Sequence, residues 1–318
     1  MPAAIEAVDL TKDYRVGFWR PRPYRALDGL TLSVERGEVF GFLGPNGAGK
    51  TTTLKLLMQL VHPTRGHATI LGSPVGDVAM KRRIGYLPEH PYFYDCLTAE
   101  ELLVYFAGLF GQSPAGARAR ASRLLDEIGI GGERRMQLRK FSKGMIQRVG
   151  LAQALVNDPE VVFLDEPMSG LDPLGRRDVR TLILRLRDEG RTVFFSSHIL
   201  ADAETLCSRV AVLVRGRLVA HGRIPDIVAF RPHGWEAIVE GVPAQTIARV
   251  GALATRQQQI SDGRYALEFP VSLPPERVVA DLVVGGGRLV SIAPVRETLE
   301  DFFVKQVEAA GGAGRQEA

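Results

Sequence analysis

One loop near the amino terminus constrains this chain more than any other feature of its sequence. It lies between residues 39–43, an apolar run of strand length, and residues 50–60, which have a helical pattern. The loop and the start of that helix read Gly44, Pro45, Asn46, Gly47, Ala48, Gly49, Lys50, Thr51 and Thr52. They fit G-x-x-x-x-G-K-[ST], whose glycines let backbone N–H groups wrap around phosphate oxygens at the positive end of a helix. The motif predicts that these residues bind a nucleotide, with Lys50 on the β- and γ-phosphates and Thr51 on Mg²⁺.

A second apolar run, residues 161–164, ends in two carboxylates, Asp165 and Glu166. Taken alone, this pattern is more often an ordinary strand end than a catalytic site. Parallel strands place the side chains at their carboxyl ends along one edge of a sheet. Since the upstream phosphate-binding loop also follows a strand, a site shared by this loop and the two carboxylates is the better interpretation. Asp165 is then placed to ligate Mg²⁺ and Glu166 to polarise an attacking water.

The composition excludes several classes of protein. The 318 residues are 45% hydrophobic and 24% charged, which indicates an ordered chain of about two domains. A net charge of +4 is too dilute for the whole surface to bind nucleic acid, and we expect no nucleic-acid partner. The apolar runs are shorter than the ~20 residues of a membrane-spanning helix and residues 1–13 lack a secretory signal pattern, which predicts a cytoplasmic protein. Cys96 and Cys207 lack the spacing of a zinc site or a disulfide framework.

The chain divides by pattern into three parts. Residues 1–222 alternate strand-like and helical runs, which predicts an α/β fold with a largely parallel sheet. Within them, residues from about 90 to 156 predict a helical subdomain, and Thr98 with Glu101 has capping-box spacing at the start of a helix. Residues 223–310 predict a small α+β domain, and residues 311–318 predict a disordered tail.

Three further motifs occur in an order that resembles the ATP-binding subunit of an ABC transporter. They are the signature-like Phe141-Ser142-Lys143-Gly144-Met145, the D-loop-like Gly170-Leu171-Asp172-Pro173, and His198 at the position of the switch histidine. The resemblance covers residues 1 to about 222. It implies a P-loop NTPase of the ABC ATPase type, with a helical signature subdomain, and it implies ATP and Mg²⁺ as cofactors.

The resemblance also places two ATP molecules between two subunits. Ser142 and Gly144 would hold the γ-phosphate of the ATP bound to the partner subunit, at the amino end of a helix. His198 would contact the same phosphate, and Asp172 is a further candidate for nucleotide binding. The implied catalytic set is Lys50, Glu166 and His198.

Tyr14 lies where the family places an aromatic ring that stacks on adenine, and Tyr24 is the second candidate. Outside this context, either would more often be an ordinary core or surface tyrosine. Glu89 stands where the family has a glutamine, which keeps an oxygen ligand for Mg²⁺ but lowers the local charge by one. Lys143 and Met145 depart from the usual signature, and Lys143 either adds a cation beside the nucleotide or faces solvent.

Two segments suggest surface contacts. Residues 15–25 contain four arginines, Trp19 and no acid, and their pattern predicts an extended surface loop. Such a loop is usually only solvated, and the alternative is contact with lipid headgroups or a membrane partner. The aromatic residues 92–94 lie where the family receives its membrane subunit, or else they pack against the helical subdomain.

Residues 223–309 resemble the extension on ATPases of ABC-2 type exporters, most clearly in residues 297–303, and carry no catalytic cluster. The resemblance therefore predicts an ATPase subunit that powers a separately encoded polytopic permease through ATP-driven dimer closure. It would work at the inner face of the cell membrane as a homodimer or beside a related ATPase. The alternatives are a soluble ABC-type ATPase acting on the ribosome or DNA, and a P-loop kinase or GTPase, which the signature and D-loop disfavour.

Overall fold

The computed structural model describes residues 3–17, 19, 22–228, 234–295 and 298–313, with side chains up to residue 308. These residues form two compact units. The first holds the described residues up to Ile224 together with those from Gln306, and the second holds Pro225–Lys305. Each unit has its own sheets and buried core. Among the described residues, no helix is both long and apolar enough to span a membrane.

The first unit contains two sheets. Its strands are β1 (Ile5–Val16), β2 (Arg22–Val34), β3 (Val39–Leu43), β4 (Arg65–Ile70), β5 (Ser73–Pro74), β6 (Ile84–Leu87), β7 (Val161–Asp165), β8 (Thr192–Ser197), β9 (Arg209–Val214) and β10 (Arg217–Arg223). One sheet has the order β10-β9-β3-β8-β7-β6, and its strands are parallel except for β10. The predicted α/β fold with a largely parallel sheet is confirmed.

Buried aromatic packing explains why the central strands lie together. All residues of β3, β7 and β8 are buried, as expected for parallel strands covered on both faces. The ring of Phe194 lies 5.6 Å from that of Phe40, 5.3 Å from Phe42 and 5.7 Å from Phe163, between ring centroids. These contacts join three strands that are distant in sequence and fix the edge at which their carboxyl ends meet.

The helices of this unit follow the predicted order. They are α1 (Lys50–Leu57), α2 (Val78–Lys81), α3 (Ala99–Leu109), α4 (Pro114–Glu127), α5 (Lys143–Ala154), α6 (Pro173–Asp188) and α7 (Leu200–Leu206). The capping box before α3 is formed, with the Glu101 N–H donating to Thr98 Oγ1 at 3.2 Å and the Thr98 N–H to Glu101 Oε2 at 2.8 Å. Between β6 and β7, only α3, α4, α5 and short 3₁₀ turns occur, as the helical pattern predicts.

The prediction of an extended loop at residues 15–25 is wrong for residues 15, 16 and 22–25, which lie in strands. β1 and β2 form an antiparallel hairpin whose pairing reaches Val16 opposite Arg22. The arginines and Pro23 suggested a loop, but β2 is the edge strand in the order β2-β1-β4-β5, where a missing backbone donor is tolerated. Phe18, Arg20 and Pro21 of this segment lie outside the described residues.

The second unit is a four-stranded antiparallel sheet with two helices. Its elements are β11 (Gly234–Glu240), α9 (Ala244–Gly251), β12 (Arg256–Ser261), β13 (Arg264–Pro270), α10 (Pro275–Val284) and β14 (Arg288–Val295), after the short α8 (Ile224–Ile227). The order β12-β13-β11-β14 is that of the split βαβ, ferredoxin-like arrangement. The sequence does not predict β12, because all six of its residues are exposed and the strand has no apolar alternation.

The last helix, α11 (Leu299–Ala313), begins at a cap formed by Thr298 and Asp301. The Asp301 N–H donates to Thr298 Oγ1 at 3.1 Å, and the Thr298 N–H donates to Asp301 Oδ2 at 2.9 Å. The helix extends into the segment 311–318 that the sequence predicts to be disordered. Glu297 of the predicted motif and residues 314–318 of the predicted tail lie outside the described residues.

Candidate functional site

Three neighbouring parallel strands end at one edge of the first unit's sheet. β3 leads into the loop at Gly44, β7 ends at Asp165 and β8 ends at Ser197. In the strand register, Leu43 lies beside Ser197, and Asp165 lies beside Ser196. Because the strands are in this register, side chains that follow them in three distant parts of the sequence meet at one place.

The loop after β3 has the backbone shape that its glycines predict. Gly47 and Gly49 have φ values of +80° and +109°, which L side chains rarely adopt. A Cβ at Gly44 would lie 2.4 Å from the carbonyl oxygen of Leu213, so only glycine allows this approach to β9. α1 begins after Gly49 without a side-chain cap, which leaves its first N–H groups suited to an anion. The loop therefore fits nucleotide phosphates.

Lys50 is held in the middle of this arrangement. Nζ donates hydrogen bonds to the carbonyl oxygens of Gly44 at 2.7 Å and Pro45 at 3.4 Å. Nζ also lies 3.2 Å from Oε1 of Glu166, and the two side chains are only 6% and 7% exposed. That Oε1 accepts no hydrogen bond within the described part of the chain, so the contact is a buried ion pair without an aligned hydrogen bond.

Glu166 is directed toward Lys50 and His198 by an unusual backbone. Its φ of +49° lies in the left-handed region, which costs a non-glycine residue roughly 1–2 kcal/mol. Its N–H donates to Ser196 Oγ and its carbonyl accepts from the Ser169 N–H, each at 3.0 Å. Oε2 then lies 2.9 Å from Nδ1 of His198. The structure thus brings the predicted catalytic residues Lys50, Glu166 and His198 into contact. The strained backbone belongs to Glu166, the residue that is expected to act on water.

Asp165 is fully buried at the end of β7. Oδ1 accepts a hydrogen bond from Ser196 Oγ at 2.5 Å, whereas Oδ2 has no hydrogen-bond partner among the residues described. Burial raises the pKa of Asp165, the hydroxyls of Ser196 and Thr51 lower it, and the carboxylates of Glu89 and Glu166 raise it. An unpartnered buried carboxylate oxygen is a group that a cation would satisfy.

The residues present fit Mg²⁺ bound together with phosphates. Thr51 and Glu89, the other predicted ligands, both lie close enough to Asp165 to shift its pKa. No group of three or more His, Cys, Asp or Glu in the described ranges could hold a metal by itself. Mg²⁺ is commonly held by one or two carboxylates with substrate phosphates and water, so such a group is not required here.

A cavity of about 280 Å³ contains most of the predicted nucleotide-binding residues. It is lined by Tyr14, Tyr24, Ala26, Pro45, Asn46, Gly47, Gly49, Lys50, Thr51, Thr52, Glu89 and Glu166. Tyr14 and Tyr24 are direct cross-strand partners in the hairpin, and Lys12 Nζ lies 5.1 Å from the centre of the Tyr14 ring. Both tyrosines therefore border the cavity, although the sequence ranked them as alternatives. Ala26 was missed because its methyl group carries no chemical signal.

The signature residues line a different cavity. Ser142, Gly144 and Asp172 border a space of about 450 Å³ together with Lys143 and Gly170. Ser142 caps α5 by accepting from the Met145 N–H at 3.3 Å, and Asp172 caps α6 by accepting from the Gly175 N–H at 2.7 Å. The Lys143 side chain lies against Gly170, where an added Cβ would approach its Cε to 2.9 Å. One chain therefore does not bring its signature residues into the cavity of its own phosphate-binding loop.

Aromatic side chains stand out from the surface just after Glu89. Tyr92 is 94% exposed and Tyr94 is 72% exposed, whereas Phe93 is half-buried. Two of the three consecutive aromatic rings are therefore exposed to solvent. Two large rings in water are typical of a surface that a partner covers.

Comparison with known proteins places these features in one family. The family model described as ABC transporter matches residues 27–169. An uncharacterized ABC transporter ATP-binding protein of Synechocystis sp. is 43% identical over 309 residues, covering 96% of this chain and 85% of the relative. A fluoroquinolones export ATP-binding protein of Mycobacterium tuberculosis is 44% identical over 197 residues, covering 61% of this chain and 64% of the relative.

A solved structure shares the fold of the first unit. It is the dimeric structure of a post-hydrolysis state of an ATP-binding cassette bound to ADP and Pi, with a TM-score of 0.64 and 26% identity. The alignment covers 69% of this chain and 98% of that chain. The similarity to the Synechocystis relative over most of both sequences shows that this chain belongs to the ABC transporter ATP-binding proteins, as an ATPase and an ATP-binding subunit of this family.

Proposed function

We propose that Glu166 is the general base of Mg²⁺-dependent ATP hydrolysis, with Lys50 and His198 on the γ-phosphate. The observation that carries this proposal is the buried cluster in which Glu166 lies 3.2 Å from Lys50 Nζ and 2.9 Å from His198 Nδ1. Water attacks the γ-phosphorus, its proton passes to Glu166, and the bond from the γ-phosphorus to the bridging oxygen breaks. His198 holds the carboxylate in place and donates to the phosphate, while Lys50 balances the charge that develops.

The remaining predicted residues position the nucleotide. Tyr14 stacks on adenine, and the N–H groups of the loop from Gly44 to Thr52 hold the phosphates. Thr51, Asp165 and Glu89 would hold Mg²⁺, which supplies charge stabilisation to the phosphoryl oxygens when bound. The unpartnered Oδ2 of Asp165 supports this assignment, because it is buried and lacks a donor in the described structure.

Two copies of the chain close around two ATP molecules. The separation of the signature cavity from the loop cavity supports this arrangement, since Ser142, Gly144 and Asp172 do not line the cavity of their own chain's phosphate-binding loop. The amino end of α5 offers N–H groups to that phosphate. The dimer of the similar solved structure, bound to ADP and Pi, supports the same arrangement.

The dimer drives a polytopic permease of the ABC-2 exporter type from the cytoplasmic face of the membrane. The exposed rings of Tyr92 and Tyr94, which follow the cavity residue Glu89 closely in sequence, support a partner at this surface. The similarity to a fluoroquinolones export ATP-binding protein supports export as the direction. The transported compound is determined by the permease, and the second unit stabilises or regulates the dimer.

Glu166→Gln tests the assignment of the base. We expect ATP hydrolysis to fall by about 10²–10⁴-fold, while ATP-dependent dimers become stable enough for size-exclusion chromatography. Glu160→Gln is the matched control, because Glu160 pairs with Arg83 at the surface near the start of the same strand. Hydrolysis at the unmodified rate in Glu166→Gln would exclude Glu166 as the base.

Co-purification tests the partner. Tagged Glu166→Gln protein with ATP should retain a polytopic membrane protein from detergent-solubilised membranes of its own source. Recovery of ribosomal proteins or DNA-binding factors in its place would support the soluble ATPase and reject the transporter assignment.

A further inference from the structure

The hairpin of β1 and β2 extends beyond the nucleotide cavity and carries positive charge at its end. Tyr14 pairs with Tyr24 at the cavity, and the next pairs outward are Arg15 with Pro23 and Val16 with Arg22. Arg15 and Arg22 are both exposed, and neither forms an ion pair with a described residue. The segment 15–25 contains no acidic residue. This end, defined by Arg15, Val16, Trp19 and Arg22, is called the hairpin end.

Arg25, in the same hairpin, differs from Arg15 and Arg22 because it forms ion pairs within the fold. Arg25 donates to Asp13 at 2.9 Å and to Asp28 at 3.0 Å, and these carboxylates raise its pKa. Arg15 and Arg22 have no carboxylate of this kind within the hairpin end. Their charge is therefore directed outward, whereas the charge of Arg25 is balanced within the fold.

The hairpin end also exposes apolar surface. Trp19 is 91% exposed and Val16 is 58% exposed. Tryptophan is normally well buried, and its amphipathic ring is enriched where an apolar phase meets water. An exposed Trp together with exposed Arg side chains in one hairpin end is a combination suited to the headgroup region of a bilayer, where Arg stems and Trp rings lie among acyl chains and phosphates.

We propose that the hairpin end binds an anionic lipid surface directly, independently of the permease. Arg15 and Arg22 contact headgroup phosphates, and Trp19 with Val16 inserts at the boundary of the acyl chains. The location is compatible with the proposed permease surface, because Tyr24 of this hairpin and Glu89, shortly before Tyr92, line one cavity. The hairpin end would add a second membrane attachment to the one that the permease provides.

Vesicle binding measures this interaction. The full chain is mixed with vesicles of phosphatidylcholine alone or with added phosphatidylglycerol, at low and high salt, and sedimented. Tryptophan emission is an independent signal, since the chain has only two tryptophans and the other, Trp235, is 6% exposed. We expect binding only to the anionic vesicles, loss of binding at high salt, and a blue shift that Trp19→Phe abolishes.

Variants identify the residues responsible. The double variant Arg15→Ser and Arg22→Ser should weaken vesicle binding about 25-fold, from about fivefold per arginine near an anionic surface. The double variant Arg256→Ser and Arg277→Ser is the matched control, since it removes the same charge from exposed positions of the second unit and should bind as the unmodified protein does. Replacing Arg15 and Arg22 by lysine should keep most of the binding.

Equal binding to zwitterionic and anionic vesicles would overturn the proposal, and so would equal weakening in the hairpin variant and in the control. Vesicle binding that is unchanged in the hairpin variant, while co-purification of the permease is lost, would assign the hairpin end to a protein partner and reject the lipid surface. Nucleotide-induced thermal shifts confirm that each variant is folded.

Discussion

Replacing Glu166 by glutamine tests the buried ion pair as well as the chemistry. The Lys50 ammonium faces the Glu166 carboxylate at 3.2 Å, with both side chains almost completely buried. Glutamine keeps the shape but removes the negative charge. We therefore expect the nucleotide-free variant to be less stable than the unmodified protein, although the substitution is nearly isosteric.

The expected loss in the free energy of unfolding depends on the partners that Lys50 keeps in Glu166→Gln. Removing one member of a buried ion pair costs about 3–5 kcal/mol when the other charge is left without compensation. Lys50 keeps hydrogen bonds to the carbonyl oxygens of Gly44 and Pro45, and the glutamine oxygen is still an acceptor, so we expect about 1–3 kcal/mol. In a unit of this size, that lowers Tm by about 2–12 °C. Glu160→Gln breaks only an exposed pair and should cost less than about 1 kcal/mol.

ATP should restore the stability that Glu166→Gln loses. Its phosphates supply a new negative partner for Lys50, so ATP without Mg²⁺ should raise the Tm of Glu166→Gln by more than it raises that of the unmodified protein. The assay is thermal unfolding with and without nucleotide for the unmodified protein, Glu166→Gln and Glu160→Gln. Equal nucleotide-free Tm values together with equal ATP-induced shifts would refute the argument, because they would show that Lys50 does not depend on Glu166.

Three further results are expected. Asp165→Asn should stabilise the metal-free protein above about pH 4 and not below it. Burial raises the pKa of Asp165 from 3.8, so the ionised carboxylate destabilises the folded protein as the pH rises above that value. Measurements of Tm against pH check this. Tyr14→Ala should weaken ATP binding by about 1–3 kcal/mol in equilibrium titrations because it removes the ring that stacks on the base, while Tyr14→Phe should preserve affinity. Maleimide should label the exposed Cys96 faster than the half-buried Cys207, since desolvation raises the pKa of Cys207, and mass spectrometry would reveal equal labelling if this is wrong.

Features whose geometry depends on adjacent residues were predictable from the sequence. The phosphate-binding loop is one, because its glycines, Lys50 and the start of α1 are contiguous and their spacing fixes the local backbone. The capping box of Thr98 and Glu101 and the cap of Thr298 and Asp301 are others, since each joins residues three positions apart. The parallel sheet was predictable as a class from alternating patterns, although the strand order was not.

Features that depend on edges or exposed strands were predicted poorly. Residues 15–25, the end of the hairpin of β1 and β2, have the proline and clustered charges that are typical of loops, yet both are compatible with an edge strand. β12 was missed because a strand exposed on all its residues has no apolar period. In both cases the hydrogen bonds come from a neighbouring strand that the local sequence does not reveal.

The sequence alone determined which chemical groups the chain possesses and which of them stand at a loop, a strand end or a helix start. Which of these groups come together depends on the tertiary structure. Glu166 lies between Lys50 and His198, Tyr14 pairs with Tyr24, and Ser142 lines a separate cavity with Asp172. The difference arises from the distance along the chain between the residues that interact. Spacing of a few residues fixes local backbone geometry, whereas contacts between segments far apart in sequence require the register of the whole sheet and the packing of its buried aromatic core.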